Sequence, residues 1–207
     1  MNSAATTLDS DLEARCATVR RVTAETQIEL SLNLDGQGRG EVSTGIGFLD
    51  HMLMSLTRHA RFDLSLTCEG DTHIDDHHTA EDCALALGQA LREALGDRRG
   101  LKRFGHAYAP LDEALTRCVV DLSGRPWPSI DLGLRREYLG QIATENVTHF
   151  FQSLALEGRM NLHVKVLEGE NDHHRAESAF KAMALALRAA VSRDDHREIP
   201  SAKEVLA

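Results

Sequence analysis

Two stretches of this chain carry the same features in the same order, and a chain that repeats itself is expected to fold the same unit twice. The first, HMLMSLTRHARFDLSLTCEGDTHIDDHHTAEDCALALGQAL, starts at His51, and the second, HFFQSLALEGRMNLHVKVLEGENDHHRAESAFKAMALAL, starts at His149. The opening histidine precedes a histidine pair by 26 positions in one copy (His51 to His77) and by 24 in the other (His149 to His173). Upstream the match is weaker, with Glu25 eleven positions before Gly36 and Glu113 eleven before Gly124. The segment from Gly96 to Gly100 reads as a helix stop and turn, so the joint is expected there. The resulting division is a tail over 1–15, halves over 16–98 and 99–193, and a C-terminal tail over 194–207.

Within each half the apolar period assigns the elements. Ile28, Leu30, Leu32 and Leu34 alternate with polar residues, as do Phe62, Leu64, Leu66 and Cys68, and Met160, Leu162, Val164 and Val166 in the second copy. These predict strands with one face toward a core. From Ala80, and again from Ala176, apolar residues recur at helical spacing, which predicts a long amphipathic helix closing each half. Shorter helices are expected over 48–57 and 145–156. The fold class that follows is α+β: two repeated halves, each a β-sheet with two helices packed on one face, rather than a doubly wound sheet.

Charge and cysteine usage narrow the functional classes. A net charge of -9, with basic residues clustered no more than in pairs such as Arg98-Arg99, argues against a nucleic-acid surface. Cys16, Cys68, Cys83 and Cys118 form no C-x-x-C pair and are expected as free, buried thiols of a cytoplasmic protein. No apolar run approaches the ~20 residues needed to span a bilayer, and the N-terminus lacks an export signal, so no membrane partner is expected.

The chemistry concentrates at the mouth of each long helix, in Asp76-His77-His78-Thr79-Ala80-Glu81 and Asp172-His173-His174-Arg175-Ala176-Glu177. Residues four apart on a helix share a face, so His77 with Glu81, and His173 with Glu177, can each chelate one divalent ion. A neighbouring residue points about 100° away, so His78 and His174 must reach a different metal or a different subunit. His51 and His149 would supply further imidazoles. This predicts two metal ions per site, and imidazole plus carboxylate without thiolate suits manganese, iron or zinc. Ser123-Gly124-Arg125-Pro126 is read as a tight turn presenting a guanidinium, and Ile199 to Lys203 brings a hydroxyl and an ammonium to the end of the chain; together they could hold a phosphate.

The motifs GIGFLDHML from Gly45, DDHHTAED from Asp75, LDEAL from Leu111, DLSGRP from Asp121, NDHHRAE with FKA from Asn171, and IPSAK near the end stand in fixed order. In these the chain resembles the imidazoleglycerol-phosphate dehydratase family over nearly everything after Arg20. The resemblance implies a fold like the second domain of ribosomal protein S5, twice over. It also implies a cage of 24 identical subunits with sites completed at their contacts, and two manganese ions per site on His51, His77, His78, Glu81, His149, His173, His174 and Glu177. Substrate contacts map to Glu25, His59, Arg103, Arg125, Lys181, Ser201 and Lys203, and the family's usual glycine after the terminal lysine is here Glu204. The implied reaction removes water from imidazoleglycerol phosphate in histidine biosynthesis. Metals stabilise the ring as imidazolate, the C3 hydroxyl leaves to give a diazafulvene, and Glu25 takes the C2 proton. A binuclear metallohydrolase would use the same ligands without needing phosphate contacts, and a metal-storage cage would place its ligands in flexible His-rich tracts.

Overall fold

The computed structural model describes residues 14–196, 198–203 and 205–206. Strand β1 (Cys16–Val22) and strand β2 (Thr26–Asn33) form an antiparallel hairpin, and β2 buries every second side chain, as its alternation requires. Strand β3 (Gly40–Ser43) is followed by helix α1 (Gly47–Ala60) and strand β4 (Asp63–Gly70). β4 pairs antiparallel with β2, setting Leu30 opposite Leu66 and Ile28 opposite Cys68, and parallel with β3. Parallel neighbours need a crossover rather than a tight turn, and α1 supplies it. Helix α2 (His77–Leu95) closes this half, whose sheet order is β1-β2-β4-β3.

The second half repeats that plan. Strands β5 (Phe104–Leu111), β6 (Ala114–Asp121) and β7 (Trp127–Asp131) lead into a short hairpin of β8 (Tyr138–Leu139) and β9 (Ile142–Ala143) that the first half lacks. Helix α3 (Thr144–Glu157), strand β10 (Asn161–Glu168) and helix α4 (Asp172–Ala190) follow. The sheet order is β5-β6-β10-β7, with β7 parallel to β10, which matches the first half strand for strand. The α+β fold expected from the repeat is therefore present in both halves.

Packing goes beyond what the repeat implied. Helix α2 lies on β1 and β2, and α4 on β5 and β6, but α1 packs against α4 and α3 against α2. The short helix of each half thus leans on the long helix of the other, and the buried apolar residues form one continuous cluster. Phe150 and Phe151 of α3 stack around Phe180 of α4 at ring separations of 5.5 and 4.6 Å. Each such fully buried side chain contributes roughly 1.5–3 kcal/mol of transfer free energy. Small residues let the layers meet: a Cβ on Gly105 of β5 would stand 2.0 Å from the Ala186 carbonyl oxygen of α4.

Cys68, Cys83 and Cys118 are buried and free, as expected. Cys16 corrects that expectation, being free but exposed, because β1 is an edge strand that buries only Val19. Among the described residues no helix is long and apolar enough to cross a membrane.

Candidate metal centre and active site

Each long helix begins at its histidine pair for a local reason. The Asp75 carboxylate accepts the backbone N–H of His77 at 2.8 Å, and the Asn171 side-chain carbonyl accepts that of His173 at 2.9 Å. A side chain two residues ahead thereby satisfies one of the unpaired amides of the first turn. The aspartates between cap and histidine reach outward instead: Asp76 accepts from the Ala143 amide at the start of α3, and Asp172 from the amides of Arg135 and Arg136.

The exchange of helices between halves builds two clusters. His51 of α1 meets His173 and Glu177 of α4, and His149 of α3 meets His77 and Glu81 of α2. In each cluster one atom from every member lies within 4.8 Å of the others. His51 Nε2 is 3.3 Å and His173 Nε2 3.1 Å from Glu177 Oε2, while His149 Nε2 is 2.9 Å and His77 Nε2 3.8 Å from Glu81. The rings of His77 and His149 stack at 4.8 Å. His77 Nδ1 lies 2.9 Å from Asn146 Oδ1, which orients the ring so that Nε2 faces the cluster. Two imidazoles and one carboxylate per cluster, with no sulfur, fit a divalent first-row ion.

Glu177 carries a further partner one helical turn on, the Lys181 ammonium at 2.8 Å. Burial pushes the Glu177 carboxyl up, but Lys181 and the facing histidines outweigh it and hold it at about 2. His59, in the last turn of α1, sits near this ion pair; burial and then the Lys181 charge push its pKa down.

His78 and His174 join neither cluster. His78 Nδ1 is 3.1 Å from Asp71 and its Nε2 is 3.5 Å from Glu25. His174 Nδ1 is 2.7 Å from Glu113, with Asp112 3.6 Å from its Nε2. Glu25 lies in the turn between β1 and β2, and Glu113 in that between β5 and β6. The two turns differ. Glu113 accepts the amides of Asn171 and Glu170 at 2.8 and 3.0 Å, and these bonds with His174 lower its pKa to about 2. The Glu25 side chain is half exposed and bonded to no amide among the described residues, which leaves it available.

Arg103 is paired with Asp121 at 2.7 and 3.1 Å and donates to the Pro200 carbonyl, tying the C-terminal tail that carries Ser201 and Lys203. Its own amide donates to Ala190 at the end of α4, while Glu177 lies in the second turn and Lys181 midway along the helix. At a rise of about 1.5 Å per residue Lys181 stands roughly 14 Å, and Glu177 roughly 20 Å, along the helix from Ala190. Arg125 is exposed on its turn, where Gly124 has φ of 83° and Asn161 bonds the Arg125 carbonyl. Glu204 lies outside the described residues.

The imidazoleglycerol-phosphate dehydratase family model matches residues 44–187, a span that holds both clusters. The chain belongs to the imidazoleglycerol-phosphate dehydratase family. It is 54% identical to the imidazoleglycerol-phosphate dehydratase of Candida glabrata, over 92% of this chain and all of that protein, and 49% identical to that of Saccharomyces cerevisiae. The Phytophthora nicotianae enzyme is 56% identical over 99% of this chain, which spans only 45% of that longer protein. Among solved structures, the family's enzyme from Staphylococcus aureus is similar with a TM-score of 0.76 at 38% identity, covering 86% of this chain and 99% of that one. The Pyrococcus furiosus enzyme, in complex with (S)-C348, is similar with a TM-score of 0.79 at 35% identity, covering 91% and 100%.

Proposed function

We propose that this chain dehydrates imidazoleglycerol phosphate to imidazoleacetol phosphate in histidine biosynthesis, and that it does so as a cage of 24 copies with active sites at their contacts. The observation that carries the reading is the pairing of two three-donor clusters, each drawn from both halves, with an available carboxylate at Glu25. Family membership supports the substrate.

On this reading one divalent cation, manganese for preference, is held by His51, His173 and Glu177, and another by His77, Glu81 and His149, with His78 and His174 directed to sites on other copies. Bound there, the cations would supply Lewis acidity to the imidazole ring, the chemistry that lets an imidazole expel a hydroxyl from the adjacent carbon. Asn146 fixes the His77 ring, and Lys181 keeps Glu177 ionised and ready to ligate. Once the C3 hydroxyl has left, Glu25 receives the C2 proton, so that one water is lost overall and the enol left behind becomes the ketone. Arg103, Arg125, Lys181, Ser201 and Lys203 hold the phosphate, and His59 stands beside the substrate. Arg103 joins the C-terminal tail near the end of α4 whereas Lys181 lies midway along it, and a set closed between copies would bring them to one phosphate. The three buried free thiols support a cytoplasmic setting.

The test is product formation from imidazoleglycerol phosphate by protein stripped of metal and then resupplied with manganese. Turnover is expected only after resupply. A folded, metal-loaded protein that forms no product would overturn the reading and favour a binuclear hydrolase.

A further inference from the structure

Asp82 is 4% exposed, stands one residue after Glu81 on α2, and belongs to neither cluster. Its Oδ1 accepts from Arg21 Nη2 at 2.7 Å and its Oδ2 from the Thr26 hydroxyl. Arg21 and Thr26 bracket the turn that carries Glu25. Inside the turn, Thr23 Oγ1 accepts the amides of Glu25 and Thr26 at 3.1 and 2.9 Å, and lies 3.3 Å from Thr26 Oγ1. The Glu25 carbonyl accepts from the Asp71 amide, and the Asp71 carboxylate holds His78. The backbone on both sides of Glu25 is thereby tied to the helix that also carries His77, His78 and Glu81.

The second half lacks this device. The residue after Glu177 is Ser178, whose hydroxyl meets Thr116 at 2.6 Å and reaches no arginine in that bond. There the turn is held by Glu113, which spends its carboxylate on two backbone amides. A buried carboxylate thus anchors the turn only in the half where the glutamate of the turn keeps its own carboxylate available.

We propose that Asp82 is a positioning residue that holds the turn bearing Glu25, through Thr26 and Arg21, at a set height above the metal-bearing helix. This deepens the dehydratase reading and rests on Glu25 as the base. Displacing a reacting group by about 1 Å can cost on the order of 100-fold in rate, so loosening the turn should act on kcat.

The test breaks the tie with Thr26→Val, a neutral replacement of similar shape. Expected are a fall in kcat on the order of 10- to 100-fold, a KM within about twofold of the parent and unchanged manganese content. In metal-free protein the Glu25 and Thr26 amides should exchange hydrogen faster. Thr26→Ser should restore both readouts. Thr116→Val breaks the bond made by the residue after Glu177 in the second half and should lower stability without lowering kcat. Unchanged kcat and exchange in Thr26→Val would overturn the proposal, as would equal losses of kcat in Thr26→Val and Thr116→Val. If Thr26→Val does not fold, Asp82→Asn carries the same readouts. If the parent protein itself forms no product, the dehydratase reading fails separately, and the exchange measurement still decides whether Asp82 holds the turn.

Discussion

Glu25 and Glu113 hold matching places in the repeat and have different partners. Glu113 is locked by two amides and His174, whereas the Glu25 carboxylate lies 3.5 Å from His78 Nε2 and takes no amide among the described residues. Glu25→Gln keeps the shape and removes the proton acceptor, so turnover should fall by at least about 100-fold, with metal content and assembly state preserved. Turnover at the parental rate would remove Glu25 from the chemistry. Away from the site, Asp63 accepts the amides of Arg39 and Gln37 at 2.9 and 2.8 Å, which lowers its pKa from the usual 3.8. A depressed carboxylate stabilises the fold above its unfolded pKa, and that contribution is lost as pH falls through the folded value. Denaturation of metal-free parent and Asp63→Asn should therefore show a stability gap at pH 7 that narrows below pH 3.8; a gap constant with pH would exclude this role.

At the scale of elements, the periodic segments were legible and their ends less so. The apolar spacing from Ala80 and from Ala176 located the long helices, and the four-residue steps from His77 to Glu81 and from His173 to Glu177 carried them back to their first turns, where the Asp75 and Asn171 side chains accept the amides of His77 and His173. The turns holding Glu25 and Glu113 carry no periodic mark, because alternation does not show where a hydroxyl captures an amide, as Thr23 does. Cys16 was read as buried because period alone cannot tell an edge strand from a central one. The contact between β5 and α4 is the tightest of these packings to test. Gly105→Ala places a methyl 2.0 Å from the Ala186 carbonyl oxygen, and overpacking of this kind costs about 1–3 kcal/mol, readable by urea denaturation. A variant as stable as the parent would show that α4 can shift away from the sheet.

For the whole molecule, the dispersal of the candidate phosphate residues matters most. Arg103 holds the C-terminal tail near the end of α4, Lys181 lies midway along that helix beside Glu177, and His78 and His174 join neither cluster of their own chain. If ligands from separate copies share each ion, removing metal should dissociate the assembly, because ligand binding then contributes directly to association. Sedimentation of chelated protein should show smaller species that reassemble with manganese; an unchanged profile would mean that the contacts between copies stand without metal.

The sequence by itself determined the repeat, the α+β class, the period of each strand and helix, and the pairing of His77 with Glu81 and His173 with Glu177, because these depend on spacing within one element. Tertiary structure decided which isolated histidine completes which pair. The halves exchange their short helices, so His51 joins the second pair and His149 the first. It also decided that Glu25 rather than Glu113 keeps an available carboxylate, and that Asp82 ties the turn of Glu25 to α2. Those outcomes depend on how two copies of one unit bury their helices against each other, a long-range packing choice that neither copy's own periodicity encodes.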